Sequence, residues 1–313
     1  MNKADSSKSQ QSAGDAALTK EWHIKIGGLI DEIGSDDFCK KLIAVLSWLV
    51  PFEQVVIISY KQGYAPLFLF DNVKNKEKNN VISTYSQGAY LLDPWYEVAK
   101  SGVADGTYRL ADVVPDEFFC SDFYQVYYRN TSLKDEINYI FTIESGEVVE
   151  ISLGRLTGLY NNFELQQLKC IESVILSLCK KHWSAKVDST AAMYGNKKSS
   201  DTHRQVVNVL NNFGVSLLTG REREVAVLML RGHSLKSVGF TLNIAMGTVK
   251  VHCKNLYSKL GLGSMSELFS LFIEVLACPE ANNAEDPLKE YSNISSRKVR
   301  EIQLYISYLN VRP

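Results

Sequence analysis

Residues 218–276 read "LTGREREVAVLMLRGHSLKSVGFTLNIAMGTVKVHCKNLYSKLGLGSMSELFSLFIEVL" and parse into four short helices with little freedom. Thr219, with Glu222 three residues on, is a capping box, so a helix begins there. It carries Val225, Leu228 and Met229 and stops at Gly232, a residue suited to the left-handed position after a helix. Ser234 caps a second helix bearing Leu235, Val238 and Leu242. Asn243 supplies the left-handed residue of a tight turn into a third helix ended by Gly261. A fourth helix runs from about Ser266 to Leu276.

The third helix has two unlike faces. Val249, Cys253, Leu256 and Leu260 form an apolar stripe that belongs in a core. Its outer face mixes Lys250, Val251, His252, Lys254 and Asn255, and residues 245–260 contain no Asp or Glu. A lysine on a helix surface is ordinarily solvated and idle. Here the context differs, because two short helices joined by a tight turn form a helix-turn-helix, whose second helix enters the major groove. That groove is about 12 Å wide and walled by phosphate, so an acid-free helix bearing cations is what fits.

The segment resembles the DNA-binding domain of the LuxR/FixJ/NarL family, through "LTGREREV", "RGHSLKSV", "TVKVH" and "KLGL" at that family's spacings. The resemblance implies base-edge and backbone contacts at Lys250, Val251 and Lys254, phosphate contacts at Lys236 and Thr248, and subunit packing through Leu268, Leu271, Phe272 and Val275. His252 reads as a packing residue rather than a base reader. Three departures stand out. Ala245 replaces the usual Ser cap, at about 0.5–2 kcal/mol of local helix stability. Gly239 stands where Ala is usual, at about 1 kcal/mol. Met265 stands where Arg is frequent.

The charge distribution agrees with an anionic partner for this part. Residues 218–276 hold seven Lys/Arg against four Asp/Glu, whereas residues 1–200 hold 21 against 25, within a chain of formal net charge -1. At 313 residues with 45% hydrophobic content, the chain suits two domains with real cores. The expected organisation is a disordered arm (1–16), an α+β ligand-sensing domain (17–184), a linker (185–215), the helix-turn-helix domain (216–277) and a C-terminal extension (278–313), in which "SSRKVREIQLYISYL" reads as a short extra helix. Six scattered cysteines without a C-x-x-C pair suit buried thiols in a reducing compartment, and no apolar run reaches membrane-spanning length. A cytoplasmic protein without cofactor or metal is expected.

Upstream, periodicity predicts two helices over 18–50 separated at Gly34-Ser35, with Ser35 capping the second and Pro51 ending it. "EQVVIISYK" and "APLFLFDN" read as strands, as do "INYIFTIE" and "EVVEISLGR" about a Ser145-Gly146 turn. "VISTYSQGAYLLDPWYEVAKSG" reads as a helix broken near Asp93-Pro94, and "DEFFCSDFYQVYYRNTS" as one aromatic helix. "GTYRLADVVP" stays ambiguous, and "FELQQLKCIESVILSLCKKHW" closes the region as one amphipathic helix. Residues 184–205 are polar and without period. The sum is an α/β/α sandwich of the PAS or GAF kind joined to a small all-α, four-helix domain.

Signal input is the less specific part. The early aspartate pair, Asp36-Asp37, lies between two helices rather than after a strand, against a phosphorelay receiver. "YLLDPWY" resembles the Asp-Pro segment of acyl-homoserine-lactone sensors, with Asp93 at the ligand-binding acid, but the tryptophans expected before and after it are missing. That resemblance implies the sensor architecture and quorum-sensing-like input without the lactone. Tyr60, Tyr64, Phe68, Asp93, Trp95 and Tyr96 are the candidate ligand residues, and Asp122, Asp135 and Glu136 are further acids for a cationic or amide-bearing molecule. Core packing is the plainer role for the aromatics.

The function expected is a DNA-binding transcriptional regulator whose N-terminal domain senses a small molecule and controls dimer geometry and DNA binding, with activator and repressor both left open. Its partners would be double-stranded DNA, a second copy of itself, a small molecule and RNA polymerase, with no membrane. The alternative is a ligand-independent regulator whose N-terminal domain only dimerises or docks a protein. No G-x-S-x-G, H-E-x-x-H, phosphate-binding loop or Cys-His pair supports an enzyme.

Overall fold

A computed structural model of the chain describes residues 20–73, 82, 85–86, 88–126, 128–186, 192, 194 and 197–297. The 1–16 arm and "SSRKVREIQLYISYL" beyond residue 297 fall outside the described residues. In chain order the elements are α1 (Lys20–Ile30), α2 (Phe38–Leu49), β1 (Gln54–Tyr60), β2 (Leu67–Asp71), α3 (Pro94–Lys100), β3 (Gly106–Arg109), α4 (Leu110–Val113), α5 (Asp122–Val126), β4 (Asp135–Thr142) and β5 (Val148–Arg155). Then follow α6 (Asn162–Cys170), α7 (Glu172–Ala185), α8 (Lys197–Asn212), α9 (Gly220–Leu230), α10 (Leu235–Thr241), α11 (Met246–Leu260) and α12 (Met265–Leu276). The fold class is α+β with a helical C-terminal module, as the sequence predicts.

The chain divides into two compact units that do not follow chain order. The first comprises residues 1–79, 95–114 and 131–197; the second comprises 80–94, 115–130 and 198–313.

Unit one is built on an antiparallel five-stranded sheet in the order β2-β1-β5-β4-β3. Side chains alternate across a strand. Ile137, Tyr139 and Phe141 of β4, Val149, Ile151 and Leu153 of β5, and Val55 and Ile57 of β1 therefore share one face. That face packs on Leu42 and Leu46 of α2, Leu165 and Leu168 of α6, and Ile175, Cys179 and Trp183 of α7, all buried in one core. Arg155 fastens the sheet to α6 through Glu164, 2.5 Å away, and stacks on the Tyr160 ring. Within the same core His182 stacks on Phe38 at 4.0 Å and accepts the Gly34 N–H at Nδ1, 3.1 Å. Burial, with Lys186 nearby, lowers its pKa from the ordinary 6.5 to about 4, so it is a neutral acceptor.

Several elements differ from the sequence expectation. The closing helix is two, α6 and α7, broken at Ile171. The aromatic "helix" of residues 116–132 is a 3-10 turn (Phe118–Cys120), the single-turn α5 and a second 3-10 turn (Tyr128–Thr131). Its aromatics are too dense for one stripe, and Phe118 meets Phe119, Tyr124 and Tyr128 at ring-centroid distances of 5.3–5.6 Å. "GTYRLADVVP" resolves into β3 and α4. Asp37, not Ser35, occupies the position before α2, while Ser35 Oγ accepts the Asp37 N–H at 3.2 Å. The stretch read as linker contains α8, whose Val206, Val209 and Leu210 are buried. A polar N-terminal half hides the helix from a reading based on apolar period.

Candidate functional site

The helix-turn-helix lies in unit two, and its caps fall where the sequence places them. Thr219 Oγ accepts the Glu222 N–H at 3.3 Å, and Glu222 accepts the Thr219 N–H at 2.8 Å, the reciprocal pair of a capping box. Ser234 Oγ accepts the Ser237 N–H at 3.0 Å to start α10. Asn243 sits at φ 52°, one of two non-glycine residues with positive φ among those described, and makes the turn into α11. Arg221 donates to the Leu242 carbonyl at 2.7 Å, tying the first turn of α9 to the end of α10. Val225, Val238, Val249 and Cys253 close a small core between the three helices.

This core sets the rotation of α11. With Val249, Cys253 and Leu256 inward, the opposite face carries Lys250, Val251 and Lys254, all exposed. Thr248 and Lys236 are exposed as well. Val251 keeps 56% of its surface in solvent, an apolar group on an otherwise polar face. His252 is half-buried, in line with a packing role. Ala245 precedes α11 with extended dihedrals (φ -64°, ψ 144°) and makes no side-chain cap.

Gly239 is corrected by the packing. A Cβ there would lie 2.8 Å from the Ile244 carbonyl oxygen, because the turn folds back and Ile244 N–H bonds to the Gly239 carbonyl at 2.9 Å. The glycine is a requirement of the close turn rather than a loss of helix stability.

The residues expected at the subunit contact lie on α12. Leu268, Phe272 and Val275 are fully buried within the protomer, and Phe272 meets Phe213 edge-on at 5.7 Å. Only Leu271 of the four is half-exposed. An apolar stripe on a helix reads the same whether it faces its own core or a second copy, and here three of the four serve the core.

The ligand candidates are divided between the two units. Asp93 belongs to unit two, where it accepts the Tyr128 hydroxyl at 3.1 Å. The other five lie in unit one. Tyr60 meets Tyr96 edge-on at 5.8 Å, Tyr64 meets Tyr194 at 5.5 Å, Trp95 is buried, and Phe68 is half-buried on β2. Asp135 is in an ion pair with Arg109 at 2.6 Å and accepts the Tyr160 N–H, and Asp122 accepts the Ser266 hydroxyl, so both hold structure.

Sequence reasoning names Glu136, Tyr60 and Trp95 but misses Asn138, Glu150 and Ser152, and with them the second face of the sheet. Glu136 and Asn138 of β4, with Glu150 and Ser152 of β5, lie opposite the core face, and all are buried. Trp95 Nε1 and Ser152 Oγ donate to Glu136, at 2.8 Å for the indole. The Tyr60 hydroxyl donates to Glu150 at 2.5 Å, and Asn138 Nδ2 donates to the same carboxylate. Asn138 Oδ1 is buried without a hydrogen-bond partner. The signal was available: Glu136 and Asn138, and Glu150 and Ser152, are each spaced by two. Strand parity puts them on one face, which a sheet with only one buried face would give to water.

Among the described residues no group of three or more His, Cys, Asp or Glu is arranged to hold a metal, and no helix is long and apolar enough to cross a membrane.

Comparison with known proteins agrees with the helix-turn-helix. Residues 216–272 match the pattern described as bacterial regulatory proteins, luxR family. An HTH-type transcriptional regulator encoded in the exeN 3′ region of Aeromonas salmonicida is 30% identical over 197 residues, covering 62% of this chain and 100% of that protein. The HTH-type transcriptional regulator MalT of Yersinia pestis is 23% identical over 252 residues, 71% of this chain but 27% of its own length. Among solved structures, the VqsR LBD domain of Pseudomonas aeruginosa is similar with a TM-score of 0.48 and 23% identity, covering 53% of this chain and 99% of that one.

Proposed function

We propose, for a chain that belongs to the luxR family of bacterial regulatory proteins, that α11 reads duplex DNA and that a small molecule bound in the N-terminal domain controls that reading. The chain is a DNA-binding transcriptional regulator and not an enzyme. In the proposed complex Lys250 and Lys254 take phosphate or guanine and Val251 meets a thymine methyl, while Lys236 and Thr248 hold the backbone. The observation that supports this most is the rotation of α11: its buried stripe turns an acid-free face with two lysines and a bare valine to solvent.

The expected assembly on DNA is a homodimer, since two copies reading successive half-sites double the phosphate contacts. On α12, the half-exposed Leu271 is open to a second copy. RNA polymerase is the partner expected of an activator.

The polar, buried sheet face, with aromatic Tyr60, Trp95 and Tyr96 on it, supports small-molecule input. A ligand can move the DNA-binding equilibrium only through different affinity for competent and incompetent states. A thermal-shift screen of the full chain with amines, amino-acid derivatives and acyl amides tests this, together with mass spectrometry of the purified protein. A shift that also changes DNA affinity supports ligand control. DNA binding that no bound compound alters leaves regulation to protein contacts instead.

A further inference from the structure

On the sheet face away from the core, Asn138 of β4 and Ser152 of β5 stand directly opposite each other. Glu136 lies to one side of that pair on β4, level with Gly154, and Glu150 lies to the other side on β5, level with Ile140. Each carboxylate leans back over the pair: Glu136 accepts the Ser152 hydroxyl, and Glu150 accepts the Asn138 amide N–H. Two acids thus converge from opposite ends on one small, buried patch of the sheet. Trp95 and Tyr60 donate to the same acids from the flanks, and Tyr96 meets Tyr60 edge-on, so aromatic rings border the patch. All of these residues belong to unit one.

What the patch offers is acceptors. The Trp95 indole, the Tyr60 and Ser152 hydroxyls and the Asn138 amide are all directed to a carboxylate. The Asn138 amide is fixed in its sense, because turning it over would set its oxygen against Glu150. Its Oδ1 therefore points off that carboxylate, fully buried and without a hydrogen-bond partner. The nearby cations Arg109 and Lys61 are engaged by other acids, Asp135 at 2.6 Å and Glu147 at 2.9 Å. Like charges repel strongly in a dry environment, and a positive group set between them relieves both.

We propose that this patch recognises an organic cation bearing N–H donors, an ammonium or a guanidinium, with its charge between Glu136 and Glu150 and one N–H on Asn138 Oδ1. This rests on the reading that the N-terminal domain binds a small molecule, and it narrows that reading. A neutral acyl amide brings one N–H and a carbonyl oxygen, and that oxygen would face two carboxylates. A cation brings several donors and no acceptor. The bordering rings keep water away, which strengthens each charge-assisted hydrogen bond.

The test is isothermal titration calorimetry of the full chain with tyramine, putrescine and agmatine as cations, N-acetyltyramine as a neutral amide and 4-hydroxyphenylacetate as an anion. The titrations are repeated on Glu136→Gln and Glu150→Gln, which keep size and remove charge, with the fold checked by circular dichroism. At least one of the cations is expected to bind more tightly than both the amide and the anion, and each glutamine variant to weaken it by about 10- to 100-fold. Cation binding that both variants leave unchanged overturns the assignment to this patch. Preference for N-acetyltyramine overturns the charge assignment and leaves small-molecule input standing. Silence of all three cations overturns the proposal; small-molecule input falls with it only if the thermal-shift screen also finds no acyl amide or amino-acid derivative that binds. If one glutamine variant does not fold, the other is read by the same criteria, and if neither folds, the ranking of cation, amide and anion on the wild type decides.

Discussion

Lys259 Nζ lies 2.7 Å from the Glu222 carboxylate, the same carboxylate that closes the capping box on the Thr219 N–H. One buried acid thus joins the last turn of α11 to the first turn of α9, tying α11 to a cap two helices away. Burial raises the pKa of Glu222, but the Lys259 ammonium and the Thr219 donors outweigh it, so the group sits below its ordinary value. A depressed acid stabilises the fold above its unfolded pKa, and that contribution is lost as pH falls through the folded one.

Glu222→Ala therefore removes half of the box and leaves Lys259 without its partner. A loss of about 1–3 kcal/mol is expected, with Glu222→Gln milder because it keeps an acceptor. Urea unfolding followed by circular dichroism measures it, and a loss under about 0.5 kcal/mol for the alanine contradicts the linkage.

Ala245→Ser restores a cap to a helix that starts without one. The extended dihedrals of Ala245 already suit a capping residue, so no rearrangement is required. The expected gain is about 0.5–2 kcal/mol, read as a raised Tm. An unchanged or lowered Tm speaks against the cap geometry.

Gly239→Ala should go the other way. Helix propensity alone promises about 1 kcal/mol of stabilisation. The contact with the Ile244 carbonyl is with backbone, which cannot move aside as a side chain would, and overpacking of this kind costs about 1–3 kcal/mol. A lowered Tm is expected; a raised one means that the turn opens easily.

His182 makes stability depend on pH. Its folded pKa of about 4 lies below the ordinary 6.5, so the unfolded chain binds the extra proton between those values. Stability is full above about 6.5 and declines as pH falls toward 4, by about 1.4 kcal/mol per unit inside the window. About 2 kcal/mol is lost between pH 7 and pH 5 from this group. His182→Gln should flatten the profile across that range, and an unchanged slope rules out a buried neutral histidine.

Much of the module was legible because its signals are local. Thr219 with Glu222, Ser234, Asn243 and Gly261 each act within a few residues, so spacing alone places the caps and turns. The role of Gly239 is not legible locally, because the oxygen it avoids belongs to Ile244, across the turn. The burial of Leu268, Phe272 and Val275 was equally out of reach, since periodicity shows that a face is apolar but not what covers it. On the sheet, β5 pairs with both β1 and β4, and only those pairings bring Tyr60 to Glu150 and Ser152 to Glu136. The aromatic residues 118–128 misled for a physical reason: density of apolar groups without a helical period produces short turns around a local cluster.

The central claim is that the outward face of α11 meets phosphate and base edges. The direct measurement is the salt dependence of DNA binding, by anisotropy on a duplex containing the operator, for the wild type and for Lys250→Ala and Lys254→Ala. Each phosphate contact contributes about 0.9 to the slope of log K against log salt. The prediction is weaker binding for both variants at unchanged fold, with the slope reduced by about one wherever the lysine reaches phosphate, and a loss of about 1–3 kcal/mol of sequence discrimination wherever it reaches guanine. Folded variants that keep both the affinity and the slope of the wild type would contradict it.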